Sequence, residues 1–379
     1  MPAAPPVHKP KYPKHGDLRR ALVARVDRYF EETGKSKSGG LRLFGKALVL
    51  LTWFWGSYAA MLLVPGLGWA ALVAVSAGLA LAGIGFSVMH DGGHGASSRS
   101  KFWNGLAARG LDMIGGSSYL WNFKHNIIHH QFPNVMDVDD DIAAEPWLRM
   151  GTHTKHRWFH RAQHLYFPLA YGFLSGKWLV YDDFNSLLSR RMGKLESPKP
   201  SVGTVAEILA WKAFCFGWAF VLPTLLHGWV FTLVTFVVWS SVSGFVMAIV
   251  FQLAHCVEEA DFTENPAKGE RLPDTWALRQ LKTTIDFAPR NPVLTWYLGG
   301  LNFQVEHHLF QTISHVHYPA LHPLVKEVCE EHGAPHYTRT FFGALGSHLR
   351  HLYRMGHPEL EQQQQTPEPV TPEPQRLAA

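Results

Sequence analysis

Three histidine clusters punctuate the chain: His90-Asp-Gly-Gly-His94, His125-Asn-Ile-Ile-His129-His130 and Gln304-Val-Glu-His307-His308. Imidazole is the commonest metal-binding side chain and suits iron, zinc, copper and nickel. On an α-helix, positions i, i+3 and i+4 share one face. His90 with His94, His125 with His129, and Gln304 with His307 and His308 are therefore each spaced to present donors together, although Gly92-Gly93 would loosen a helix in the first cluster. One metal takes about four to six ligands here, so seven imidazoles are enough for two. Satisfying so many adjacent imidazoles without metal would be hard. The chemistry this points to is oxygen activation at a dimetal site. Breaking an unactivated C–H bond of a lipid chain lies beyond side-chain acids and bases and needs a metal, O2 and electrons.

The elements that must position these residues are apolar. Mean hydropathy is only −0.05, but the apolar residues are concentrated. No Asp, Glu, Lys or Arg occurs from Ala47 to His90, or from Ala213 to Val257. A crossing takes about 20 apolar residues, so each block holds two. Pro65-Gly-Leu-Gly68 and His227-Gly228 break the blocks with turn chemistry. The predicted fold class is an all-α integral membrane protein: four transmembrane helices, at about 44–64, 67–89, 207–226 and 229–255, in two hairpins with a cytosolic helical cap carrying the dimetal site. Of the 35 Lys and Arg, 11 lie in residues 1–46, 13 in 90–206 and 11 from Lys212 onward, and the hairpin turns hold none. Positive residues stay on the cytoplasmic side. Both termini, the central loop and all three clusters are thus expected there, where acyl chains and O2 from the bilayer meet electron donors from the cytoplasm.

Three regions follow: a polar, basic segment 1–40, a membrane domain 41–356 and a disordered Gln/Pro-rich tail 357–379. Asp17 to Thr33 reads as an amphipathic helix on the membrane surface, and 101–120 as an interfacial or re-entrant segment. Leu165–Gly176 and 291–305 are too short to span. The formal charge of +5 fits the sidedness rule and anionic headgroups better than nucleic acid, for which no module is recognisable. Cys215, Cys256 and Cys329 are far apart and odd in number, which fits a reducing compartment. The N-terminal stretch has no apolar core and is not a cleaved signal peptide.

Outside the clusters, His255 ends the fourth apolar helix level with them and is an eighth ligand candidate; His227, at the opposite turn, is interfacial. His153, His156, His160 and His164 form a tempting stripe that reads as a solvated or headgroup-facing helix side. Asp91 and Glu306 are candidates to orient ligand imidazoles, with Asn134, Asp141 and His315 as further outer partners. The run Asp137-Val-Asp139-Asp140-Asp141 otherwise reads as a solvated acidic loop.

Over roughly residues 45–340 the chain resembles the membrane-bound fatty acid desaturases with three histidine boxes. The stretch Gly299-Gly-Leu-Asn-Phe-Gln-Val-Glu-His-His-Leu-Phe310 and the following His315-Val-His-Tyr-Pro319 are similar to the acyl-lipid and front-end group, in which Gln replaces the first His of the third box. The resemblance implies a non-haem di-iron enzyme that uses O2 and two electrons to form a cis double bond. It implies iron ligation by His90, His94, His125, His129, His130, His307 and His308, with His255 as the extra histidine and Gln304 binding directly or through water. The sequence lacks the His-Pro-Gly-Gly signature of a fused haem domain, which implies electrons from a separate donor such as a ferredoxin, or a cytochrome with its reductase. A membrane di-iron hydroxylase shares the boxes and is the nearest alternative. A metal transporter would put ionisable groups near the bilayer midplane, whereas here the histidines gather at one face. The acyl group could be carried by CoA, a carrier protein or a lipid. The Gly/Ala-rich composition fits a bacterial inner membrane.

Overall fold

The computed structural model describes residues 7–14 and 16–360. Its principal helices are α1 (Asp17–Thr33), α2 (Gly40–Leu63), α3 (Leu67–Gly93), α4 (Gln163–Lys177), α5 (Val202–His227), α6 (Trp229–His255), α7 (Trp276–Thr283), α8 (Gln304–Leu309), α9 (Tyr318–Glu331) and α10 (Phe341–Gly356). Of these, α2, α3, α5 and α6 are long and apolar enough to cross a membrane. They begin and end within about five residues of the predicted bounds, and helix ends are uncertain by that much. A short parallel pair, β1 (Ile285–Phe287) with β2 (Tyr337–Arg339), lies among the later helices.

α3 packs between α2 and α6, and α6 also packs along α4. The small residues Ala74, Ala77 and Ala80 are wholly buried on α3 and let its neighbours approach. Leu48, Leu72, Leu225 and Leu233 face outward, as lipid-facing side chains do. Lys212 is the one basic residue far inside α5, and it is not left alone: its Nζ lies 2.7 Å from Asp183 Oδ2 and donates to the Gly115 carbonyl at 2.6 Å. Charge at such depth requires this pairing.

Two expectations are corrected. α1 has the predicted bounds, but its apolar face is not free for a membrane. Leu22, Val26 and Phe30 are buried with Leu321, Val325 and Val328 of α9 and Leu281 of α7. The histidine stripe is not one helix side either. Turns lead into a 3-10 turn, Trp158–Ala162, before α4 starts. His160 is fully buried; its Nδ1 accepts from the Arg157 N–H at 3.1 Å and its Nε2 donates to the Pro146 carbonyl at 2.9 Å. His160→Ala leaves that carbonyl unsatisfied, a cost of about 1–3 kcal/mol. The expected outcome is a lowered Tm in thermal unfolding with unchanged metal content.

The segment 101–120 forms short helices, with Phe102, Trp103 and Leu106 exposed along the first. Residues 291–305 form a short helix, Pro292–Tyr297, and a turn into α8. That turn needs Gly299: its φ is +60°, and a Cβ there would sit 2.3 Å from the Phe86 carbonyl oxygen of α3. Residues 357–360 follow directly from α10, and the rest of the expected tail lies outside the described residues.

Candidate metal centre

α3 delivers His90 in its last turn and His94 just beyond it. The Gly92-Gly93 pair has a packing reason, since a Cβ on Gly93 would lie 2.3 Å from the Trp121 ring. Trp121 in turn stacks on His125, with centroids 4.5 Å apart and planes at 22°. The second cluster departs from the expected α spacing. Asn122–His129 is a π-helix, which brings i and i+5 together. His125 and His130 consequently face each other, with Nε2 atoms 3.1 Å apart. π-helical turns of this kind are frequent at functional sites. α8 supplies Gln304, His307 and His308, and the end of α6 supplies His255.

All eight histidines are buried and converge. Donor atoms of His90, His94, His125 and His307 lie within 4.8 Å of one another, as do those of His129, His255 and His308, and those of His130, His307 and His308. Gln304 joins them through its amide nitrogen, 2.9 Å from His255 Nε2.

Outer partners fix how the rings point. Carboxylates and carbonyls only accept, so the ring nitrogen beside one must be N–H. His129 Nδ1 donates to Asp139 Oδ2 at 2.9 Å, His125 Nδ1 to Asp141 Oδ2 at 3.1 Å, His308 Nδ1 to Gln280 Oε1 at 2.8 Å and His255 Nδ1 to the Thr283 carbonyl at 3.2 Å. His307 Nδ1 lies 3.2 Å from the Tyr318 hydroxyl. The Nε2 atoms are then lone-pair bearers turned inward. Those of His129 and His308 are 3.2 Å apart, an arrangement that repels unless a cation or proton sits between them. His94 Nε2, His307 Nε2 and Gln304 Oε1 are buried without a hydrogen-bond partner among the described residues. Burial, then neighbouring imidazoles, hold His130, His307 and His308 well below the ordinary imidazole range, so they stay in the neutral, ligating form. The donor set fits metal.

The other predicted residues distribute differently. Asp141 reaches His125. Asn134 donates its side-chain amide to the His255 carbonyl at 2.9 Å. Asp91 does not meet a cluster imidazole edge-on; it accepts from Ser314 Oγ at 2.6 Å and lies 3.0 Å from His315 Nδ1, while His315 Nε2 is 3.0 Å from Lys46 Nζ. Glu306 points away, to His322 and His336. The acidic run is not simply a solvated loop. Asp139 is buried and also accepts from the Asn134 and Asp141 backbone N–H groups. Gln280 and Thr283 carry no local sequence signal; only the fold brings them to the rings, whereas Tyr318 lies in the His315–Pro319 stretch already singled out.

A profile of the fatty acid desaturase family matches residues 67–340. The chain belongs to the fatty acid desaturase family. This desaturase is 35% identical over 344 residues to the sn-1 linoleoyl-lipid 6-desaturase of Arthrospira platensis, covering 89% of this chain and 92% of that protein. It is 32% identical to the sn-1 linoleoyl-lipid 6-desaturase of Synechocystis sp., over 91% of this chain and 97% of that protein. It is also 32% identical to an acyl-lipid (8-3)-desaturase of Physcomitrium patens, over 90% and 72%. The desaturase is an integral membrane oxidoreductase that desaturates fatty acyl chains, and its buried histidine clusters suit a metal site.

Proposed function

We propose that this desaturase holds two iron ions between its histidine boxes and inserts a cis double bond into an acyl chain esterified in a membrane lipid. The observation that carries the reading is the pair of inward-facing Nε2 atoms of His129 and His308, 3.2 Å apart, with both Nδ1–H groups already committed outward. His90, His94, His125 and His307 would serve one ion. His129, His255 and His308 would serve the other, with His130 between them and Gln304 acting directly or through water. Iron, when bound, supplies the O2-dependent oxidising power that an unactivated C–H bond requires.

The chain's own part is positioning. Asp139, Asp141, Gln280 and Thr283 fix the tautomers and aim the rings of His129, His125, His308 and His255. Trp121 and Phe251 wall the rings with apolar surface; Phe251 stacks on His255 at 4.7 Å. In the overall balance, two hydrogens leave adjacent methylenes and, with two external electrons and two protons, reduce O2 to two waters. The electrons come from a separate protein of the ferredoxin or cytochrome class.

We set the four spans in two hairpins whose turns are free of Lys and Arg, which supports a cytoplasmic setting for the termini, the helical cap and the metal centre; a bacterial inner membrane is the membrane we propose. Residues 41–356 form the membrane domain, with 1–40 ahead of it and a tail from 357. The esterified substrate rests on the linoleoyl-lipid and acyl-lipid names of the relatives. Feeding expressing cells with labelled linoleate and resolving their lipids by class tests this. The product should appear first in glycerolipid, two mass units below its precursor; appearance first in acyl-CoA would overturn the lipid-linked substrate.

A further inference from the structure

A second donor cluster lies on the other side of α8, apart from the box histidines. Asp286 of β1 and Glu306 of α8 are carboxylates with no exposure to solvent. His322 of α9 and His336, just before β2, meet them. Asp286 Oδ2 lies 2.8 Å from His322 Nδ1 and 3.7 Å from His336 Nε2. Glu306 Oε1 lies 3.4 Å from His322 Nδ1 and 3.2 Å from His336 Nε2. All four donor atoms fall within 4.8 Å of one another.

These distances have a metal's dimensions. Zinc bonds of about 2.0–2.1 Å in a tetrahedron set ligand atoms about 3.3 Å apart, and the four measured spacings bracket that value. The charge also closes, since two carboxylates, two neutral imidazoles and one divalent cation sum to zero in a buried place that tolerates little net charge. Glu306 Oε2 is moreover buried with no hydrogen-bond partner among the described residues, so hydrogen bonding among the four groups does not satisfy this carboxylate.

We propose that Asp286, Glu306, His322 and His336 bind one divalent ion of the zinc class in a closed, structural site separate from the box histidines. Four protein ligands and no open position are the mark of a structural rather than a catalytic zinc site. The ion ties β1, α8, α9 and the approach to β2 into one unit. Glu306 directly precedes His307, so the site fixes the helix that presents the third box. The sequence hides it because its ligands are scattered over about 50 residues with no metal-binding spacing.

Metal counting on the purified full-length protein tests the site. Metal-free protein is saturated with zinc, freed of excess and analysed by mass spectrometry of the elements. Three equivalents per chain are expected in the wild type, and two in both His336→Ala and Asp286→Asn. His129→Ala, which leaves Asp286, Glu306, His322 and His336 in place, should retain the third equivalent, with a zinc X-ray absorption spectrum of four nitrogen and oxygen neighbours. Saturation at two equivalents in the wild type overturns the proposal even if the variants fail to fold. So does an unchanged count in a monodisperse His336→Ala. Loss of metal in His129→Ala alone would bear on the box assignment and not on this site.

Discussion

Replacing His129 with Ala should reduce desaturated product by more than about 100-fold, beyond the range typical of losing an outer partner, and should lower bound iron. His129 is central. Its ring centroid lies 4.7 Å from that of His255, 4.9 Å from that of His308 and 5.2 Å from that of His125. His129 groups with His255 and His308, and its Nε2 lies 3.2 Å from that of His308. Deleting the ring removes a donor and also takes one of three hydrogen bonds from Asp139, whose side chain has no solvent exposure. A buried carboxylate that loses one of its donors destabilises by itself. The metal assay must therefore accompany size-exclusion chromatography. A monodisperse variant with full iron content and activity would refute the ligand assignment.

Asp139→Asn separates orientation from ligation. Its expected cost is about 10–100-fold in metal affinity or activity. Asp139 Oδ2 accepts from both His129 Nδ1 and the Asn134 backbone N–H, while Oδ1 accepts from the Asp141 N–H. Asparagine has one acceptor oxygen. Whichever way its amide turns, an NH2 faces at least one of these donors, and either His129 or the loop loses its partner. The substitution leaves every proposed ligand in place, so iron that binds weakly rather than vanishing is the expected result of titration. Asp141→Asn should cost less, because Asp141 is 14% exposed and its Oδ1 is shared with Lys124 at 3.1 Å. Equal losses in the two variants would contradict this ranking.

The parts legible in sequence were those with a local signal. Uncharged runs marked α2, α3, α5 and α6, because a span must be apolar along its whole length. The box histidines stood out because each group is contiguous. His255 was found by its place at a helix end. What stayed hidden depends on contacts far apart in the chain. Gln280 is 28 residues from His308, and nothing around it announces an acceptor for an imidazole. Spacing arguments also assumed α geometry, and the π-helix at Asn122–His129 changed which histidine faces His125. The amphipathic pattern of α1 showed an apolar face, but periodicity does not say whether lipid or protein covers it; here α9 does. The stripe from His153 to His164 failed for the same reason. A period implies a face only where a helix exists, and Pro146 and Arg157 claim His160 instead.

Central to the proposed function is the centre of histidine boxes, at which an acyl chain would lose two hydrogens. The most direct test is gas chromatography–mass spectrometry of fatty acids from cells expressing the wild type beside cells expressing His307→Ala at equal protein levels. The expected result is a species two mass units below its precursor in the wild type and none in the variant. The same species in both, or a hydroxylated chain in place of an unsaturated one, would contradict the account.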